Sequence, residues 1–334
     1  MTMEFNQKIG VLGGGSWATA IVKILTENLD TVNWWMRDKD CAEHIKKFHH
    51  NPRYIQSIQF EENKLNIDTD LQKIVDESDI IVVAVPSAFL AQAFDGVEIQ
   101  GIEDKIIISA IKGVIPEYNQ IPAEYFNINF NVPWEKIGMI AGPCHAEEVA
   151  MERLSYLTIA CKDQQIANYV AEAMSCRYIN TSVSDDLLGT ELSAILKNVY
   201  AVASGICHGL GYGDNFQAVL ISSAIRETKD FIDAVHAIHR DVKSSAYLGD
   251  LLVTAYSQFS RNRNFGSMVG KGYSVRSAQI EMNMVAEGYY AAKGIYEINK
   301  KFKVDMPIVD AVYNILYEKI SPIMEMRLLT GKLS

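Results

Sequence analysis

The sequence predicts an α/β protein with a mostly parallel sheet in its first half, followed by an all-α second half. Three observations carry this reading. Short β-branched runs alternate with helical spacing through the first 184 residues, a glycine-rich turn directly follows the first run, and beyond Ser184 long segments keep helical spacing with Pro and Gly between them. Alternation of strand and helix is the pattern of parallel βαβ units.

Taken in order, Lys8 to Leu12, Val32 to Met36, Ile80 to Val85, Lys105 to Ala110 and Gly138 to Ala141 are the expected strands. Their near-continuous apolar character fits parallel strands buried on both faces. Tyr156 to Ala160 and Arg177 to Thr181 bracket a helical stretch from Gln164 to Met174 and extend the same sheet. At 334 residues the chain exceeds the usual reach of one hydrophobic core, so two domains are expected, residues 1–184 and 185–334. No internal repeat or low-complexity tract interrupts either half.

Composition narrows the function classes. Hydrophobic residues make up 49% and charged residues 22%, the balance of a folded protein rather than a disordered one. Lys and Arg total 31 against 41 Asp and Glu, a net charge of -10, which argues against nucleic acid or anionic lipid as partner. An anionic ligand therefore needs a local basic cluster. Apolar runs such as Ile80 to Val85 fall far short of the roughly 20 residues of a membrane span. The amino terminus carries Glu4 and Lys8 and lacks the pattern of a signal peptide. Five scattered cysteines, Cys41, Cys144, Cys161, Cys176 and Cys207, show no metal-ligand spacing and read as reduced thiols, so a cytoplasmic location is expected.

After the first strand comes Gly13-Gly14-Gly15-Ser16-Trp17-Ala18, then a helical pattern from Thr19 to Leu25. This is the dinucleotide fingerprint of a Rossmann-type domain with Ala in the third glycine place. Gly13 permits the tight turn, Gly15 lets a pyrophosphate approach the backbone, and Ala18 keeps helix and strand close; Ser16 and Trp17 between them are placed on the cofactor side. The alternative is a plain flexible turn, which the preceding strand and following helix disfavour. The cofactor is thus NAD or NADP. At the end of the second strand stands Trp35-Met36-Arg37-Asp38, where Arg37 accepts a 2′-phosphate, stacks on adenine, or is simply a solvated strand end.

Polar clusters elsewhere sit in apolar surroundings. Ser109-Ala110-Ile111-Lys112-Gly113, Gly142-Pro143-Cys144-His145-Ala146-Glu147-Glu148, Leu196-Lys197-Asn198-Val199 and Gly209-Leu210-Gly211-Tyr212-Gly213-Asp214-Asn215 follow one another, and Gly249-Asp250-Leu251, Ser260-Arg261-Asn262-Arg263 and Ala286-Glu287-Gly288 come after them. In this order, with the glycine turn, they resemble the signatures of the NAD(P)-dependent glycerol-3-phosphate dehydrogenases over nearly the whole chain. Ala18 in place of the more usual glycine, and Cys144-His145 in place of Ser-Phe or Ser-His, are departures that bear on the shape of the nicotinamide pocket.

The resemblance implies reversible reduction of dihydroxyacetone phosphate, a small phosphorylated substrate, to glycerol 3-phosphate. Charge building on the ketone oxygen calls for a proton donor and nearby cations. By resemblance Lys197 is that donor, Lys112 lowers its pKa and polarises the carbonyl, and Asp250 orients it. Arg261 and Asn262 are the implied phosphate clamp, since a guanidinium binds phosphate oxygens bidentately. Gly142, Asn198 and Thr254 are placed at the substrate, with Asp250 and Thr254 one helical turn apart and so on one side of a helix. Pro86, Ala146, Arg261, Glu287 and Lys112 are placed on the cofactor side, and a homodimer is the expected assembly.

Plainer readings stand beside these. Without the resemblance Lys197 reads as a surface lysine lying along an amphipathic helix, Arg261 to Arg263 as a basic surface loop, and Asp250 and Thr254 as cap or solvated residues. Asp233, His236 and His239 share one possible helical face, but hydride transfer needs no metal, and no metal site is expected. His49 and His50 precede Asn51-Pro52-Arg53, near the cofactor by resemblance, with no role derivable from the residues. The nearest competitor is a two-domain dehydrogenase of the β-hydroxyacid or ketopantoate type. Its carboxylate substrate has no use for the Arg261-Asn262 clamp. A nucleotide sensor without turnover has no use for a proton donor such as Lys197.

Overall fold

The computed structural model describes residues 7–94, 99–282 and 285–333, so the reading of the amino terminus that used Glu4 lies outside the described residues. Eight strands form one sheet: β1 (Ile9–Leu12), β2 (Val32–Trp35), β3 (Leu65–Asp68), β4 (Ile80–Val83), β5 (Ile106–Ser109), β6 (Ile137–Ala141), β7 (Ser155–Cys161) and β8 (Ile179–Ser184). Their order is β3-β2-β1-β4-β5-β6-β7-β8, and every neighbouring pair is parallel except β6 with β7. The fold class read from the sequence is the one found. One strand, β3, was not foreseen. Its four residues include a single buried one, Ile67, so it lacks the apolar run that marks the interior strands.

β2 and β4 flank β1 on opposite sides, so the strand order reverses between β1 and β4. In open α/β sheets that switch point, at the carboxyl ends of the strands, is where nucleotides bind. Helices α1 (Ser16–Leu25), α2 (Lys39–Phe48), α3 (Leu71–Asp76), α4 (Ser87–Phe94), α5 (Pro122–Phe130), α6 (Ala146–Ala150) and α7 (Gln164–Met174) connect the strands. Asp38, Asp70 and Asp163 start α2, α3 and α7 by accepting backbone N–H groups of the first turn. Helix α1 begins differently: Gly15 is its N-cap, no side chain caps it, and its first turn holds no acid.

Helices α8 (Leu187–Gly209), α9 (Asp214–Val235), α10 (Asp250–Tyr256), α11 (Arg261–Gly270), α12 (Val275–Glu281), α13 (Glu287–Phe302), α14 (Pro307–Leu316) and α15 (Pro322–Thr330) make up the rest. None is long and apolar enough to cross a membrane among the described residues. The segment Ile308 to Leu316 buries Ile308, Val309, Val312 and Ile315 in the helical core.

The chain divides into two compact units. The first runs through Val85 and takes Phe89–Ile111 and Pro122–Leu187; the second takes Pro86–Ala88, Lys112–Ile121 and the chain from Leu188 on. Val114 and Ile121 explain the second excursion, because both are buried in the helical unit's core. Each such aliphatic side chain contributes about 1.5–3 kcal/mol by leaving water.

Within the helical unit, glycines set one close crossing. A Cβ at Gly205 or Gly209 of α8 would collide with the carbonyls of Arg263 or Ser267 of α11. Reciprocally, a Cβ at Gly266 or Gly270 of α11 would collide with the carbonyls of Val202 or Ile206 of α8. Two pairs of glycines spaced by one turn thus let the backbones touch, and that contact brings the first turn of α11 against the middle of α8.

Candidate active site

In the sheet unit the glycine turn has the geometry a dinucleotide site needs. Gly13 has φ +131°, and a Cβ there would stand 2.8 Å from the Ala84 carbonyl, so only glycine fits between β1 and β4. At Gly15 a Cβ would meet no protein atom within 4 Å, so protein packing does not select glycine at that position. The uncapped start of α1, with Ser16 and Trp17 in its first turn, presents N–H groups and the positive end of the helix dipole. Ala18 is fully buried beneath. These residues fit a pyrophosphate.

At the end of β2, Arg37 is exposed and donates to Gln92 Oε1 at 3.2 Å. Asp38 is committed twice: it accepts the Cys41 N–H at 3.0 Å as cap of α2 and pairs with Arg53 at 2.6 Å. The Cys41 N–H, more than the Arg53 guanidinium, holds the Asp38 carboxyl below its ordinary pKa. Gly142, with φ +112°, turns the chain after β6 against the Tyr156 carbonyl, and Ala146 opens α6.

In the helical unit three charges meet. Lys197 of α8 donates to Asp250 Oδ1, and Lys112 Nζ lies 3.5 Å from Asp250 Oδ2. The three side chains are 7%, 2% and 16% exposed for Lys197, Asp250 and Lys112, so the surface-lysine reading of Lys197 is overturned. Burial pulls the Lys197 ammonium down to about 7; the Asp250 carboxylate opposes this, and the Lys112 charge adds to it.

Thr254, one turn along α10, donates its hydroxyl to the Asp250 carbonyl at 2.6 Å. Asp250 and Thr254 are both buried, not solvated. The start of α11 is likewise a capped helix rather than a surface loop: Ser260 accepts the Arg263 N–H at 3.3 Å, and Asn262 is buried. Asn262 donates to Asn198 Oδ1 at 2.8 Å and accepts the Gly288 N–H at 2.8 Å, while Asn198 donates to the Lys112 carbonyl at 2.6 Å. Two amides therefore link the backbones of Lys112 and α13 through α8 and α11.

Arg261 donates to the Val285 carbonyl at 3.3 Å. Glu287 accepts both the N–H, at 2.9 Å, and the hydroxyl of Ser87, the residue after Pro86. Burial raises the Glu287 pKa, and the two Ser87 hydrogen bonds and then Arg261 oppose it. A Cβ at Gly113 would press on the side chains of Glu287 and Ser87, so glycine leaves room for their contact. Ser87 was missed in the sequence; it lies beside Pro86, but nothing in its own type announced a partner 200 residues along the chain. At the end of α9, Asp233 pairs with Lys229 at 2.7 Å and with Arg240.

Family comparison agrees with this geometry. The model of the NAD-dependent glycerol-3-phosphate dehydrogenase N-terminus matches residues 8–167, and that of the C-terminus matches residues 186–327. A glycerol-3-phosphate dehydrogenase (NAD(P)+) of Limosilactobacillus reuteri is 33% identical over 316 residues, 93% of this chain and 93% of its own. The chain belongs to the NAD-dependent glycerol-3-phosphate dehydrogenase family. Among solved structures, a glycerol-3-phosphate dehydrogenase from Coxiella burnetii superposes with TM-score 0.88 at 26% identity, over 98% of this chain and 99% of that one. A ketopantoate reductase from Ralstonia eutropha shares the fold alone, at TM-score 0.60 and 12% identity, over 96% of this chain and 99% of that one.

Proposed function

We propose that this family member interconverts dihydroxyacetone phosphate and sn-glycerol 3-phosphate with NAD(H) or NADP(H), using Lys197 as general acid in reduction and general base in oxidation. The observation that carries the assignment of roles is the buried Lys197–Asp250–Lys112 cluster. When bound, the nicotinamide supplies or accepts the hydride. Lys197 Nζ holds the proton for the ketone oxygen, and Lys112 places a second positive charge where that oxygen becomes negative. Asp250 holds both ammonium groups in place through its two oxygens.

Arg261 is the proposed phosphate anchor, since its guanidinium has donors beyond the one spent on Val285. The amides of Asn198 and Asn262 are spent on protein partners, so their proposed contribution is to hold the frame that carries Lys112 and Arg261. Asp38 is engaged by the start of α2 and by Arg53. Arg37 and Arg53 give the site two guanidinium groups, and NADPH is therefore proposed as an accepted cofactor alongside NADH. The proposed setting is a cytosolic homodimer: five cysteines without a disulfide among the described residues suit a reducing compartment, and Ile323, Met324 and Leu328 offer exposed apolar surface on α15.

The test is NADH and NADPH oxidation with dihydroxyacetone phosphate by the parent and by Lys197→Ala. Absence of turnover with both cofactors in the parent overturns the assignment. Near-parental turnover by Lys197→Ala overturns the role of that lysine.

A further inference from the structure

The loop between α2 and β3 contains a fully buried amide that the reaction itself does not use. Asn51 Nδ2 donates to the Gly14 carbonyl at 3.1 Å and to Thr19 Oγ1 at 2.9 Å. Its Oδ1 accepts the N–H groups of Arg53 at 3.0 Å and Tyr54 at 3.2 Å, and lies 3.8 Å from Cys41 Sγ. Thr19 passes the link on, donating its hydroxyl to the Gly15 carbonyl at 2.9 Å. The Gly13 carbonyl is held too, by Trp34 Nε1 at 2.7 Å. All three carbonyls of the glycine turn are thus fixed by side chains, from β2, from the loop and from α1.

Peptide planarity gives this a consequence. In a trans peptide the C=O of one residue and the N–H of the next point in opposite directions. Fixing the carbonyls of Gly13, Gly14 and Gly15 inward therefore aims the N–H groups of Gly14, Gly15 and Ser16 outward. A glycine turn on its own is among the most flexible segments a chain can have, and ordering it on binding would subtract from affinity. Tethering its carbonyls orders it beforehand.

We propose that Asn51 is a positioning residue for the dinucleotide: through Gly14 and Thr19 it pre-aims the amides of the turn toward the pyrophosphate. This rests on the reading of that turn as the pyrophosphate seat. The same side chain, by accepting from Arg53 and Tyr54, shapes the short turn that delivers Arg53 to Asp38 at the far side of the nucleotide site. One amide therefore sets the backbone of the glycine turn and the turn that carries the Arg53 guanidinium.

The test is equilibrium binding of NADH, followed by quenching of protein fluorescence, for the parent, Asn51→Ala, Asn51→Asp and Thr19→Val, alongside apo melting temperatures. The expected result is a Kd about tenfold to a hundredfold weaker in Asn51→Ala. Asn51→Asp should be weaker still, because it adds an anion behind the phosphates, and Thr19→Val should move the same way. The KM for dihydroxyacetone phosphate should stay at the parental value. A lowered melting temperature with unchanged Kd in Asn51→Ala or Thr19→Val means these side chains only stabilise the fold, and overturns the proposal. If Asn51→Ala fails to fold, Thr19→Val decides by the same criterion. A parent that binds no NADH overturns the underlying reading of the turn, which separates that failure from this one.

Discussion

At the scale of single residues, the decisive fact is that a lysine is buried beside a carboxylate and a second lysine. Removal of the proton donor, as in Lys197→Met, should lower kcat by about a hundredfold to ten-thousandfold while leaving the NADH Kd unchanged. The pH dependence has a definite sign. Reduction needs Lys197 protonated, so its kcat/KM should be full below about 7 and fall as pH rises through that value, and oxidation should show the mirror profile. Asp250→Asn removes the carboxylate that raises this pKa and should move the midpoint to lower pH. Lys112→Met removes a like charge and should move it higher, in whatever activity remains. Arg261→Ala should raise the KM for dihydroxyacetone phosphate by about tenfold to a hundredfold with little change in cofactor affinity, measured by steady-state kinetics. Lys197, Lys112 and Asp250 were legible because their types are unusual in apolar stretches and their motifs fall in a family order. Their mutual distances were not, because the three residues are far apart in the chain and only the tertiary fold brings their side chains together. Asn51 was visible only as part of a loop placed near the cofactor by resemblance; its partners Gly14 and Thr19 lie more than a helix away in the chain.

At the scale of elements, the interior strands and α7 were readable from β-branched runs and helical period, because burial on both faces leaves an unbroken apolar signature. β3 was not, because an edge position asks little of its side chains. The crossing of α8 and α11 escaped for a different reason: a glycine in a helical pattern normally lowers confidence in the helix, and only the facing glycine reveals that it is required. Gly205→Ala or Gly266→Ala should force the backbones apart, cost about 1–3 kcal/mol of stability and lower the melting temperature by several degrees. Because Asn198 and Asn262 lie on these two helices, the same variants should also weaken substrate turnover more than cofactor binding, a split that kinetics and NADH titration can read.

At the scale of the whole molecule, the net charge of -10 sets a background that repels anionic ligands, so both phosphate-bearing molecules depend on local cations. Raising the ionic strength should therefore weaken substrate binding through screening at Arg261 and Lys112 only partly offset by relief of the general repulsion, measurable as KM against salt. The two-unit organisation has a further consequence through the segment Lys112–Ile121. It is encoded inside the first half, yet it supplies the helical unit with Val114, Ile121 and one of the three charges at the proton-transfer centre. A gene split at residue 187 would thus yield a carboxy-terminal fragment lacking part of its own interior, and mixing the two halves should not restore a working enzyme. Evolutionary shuffling of one half without the other meets the same obstacle: the halves are interleaved in the chain, and must be inherited together.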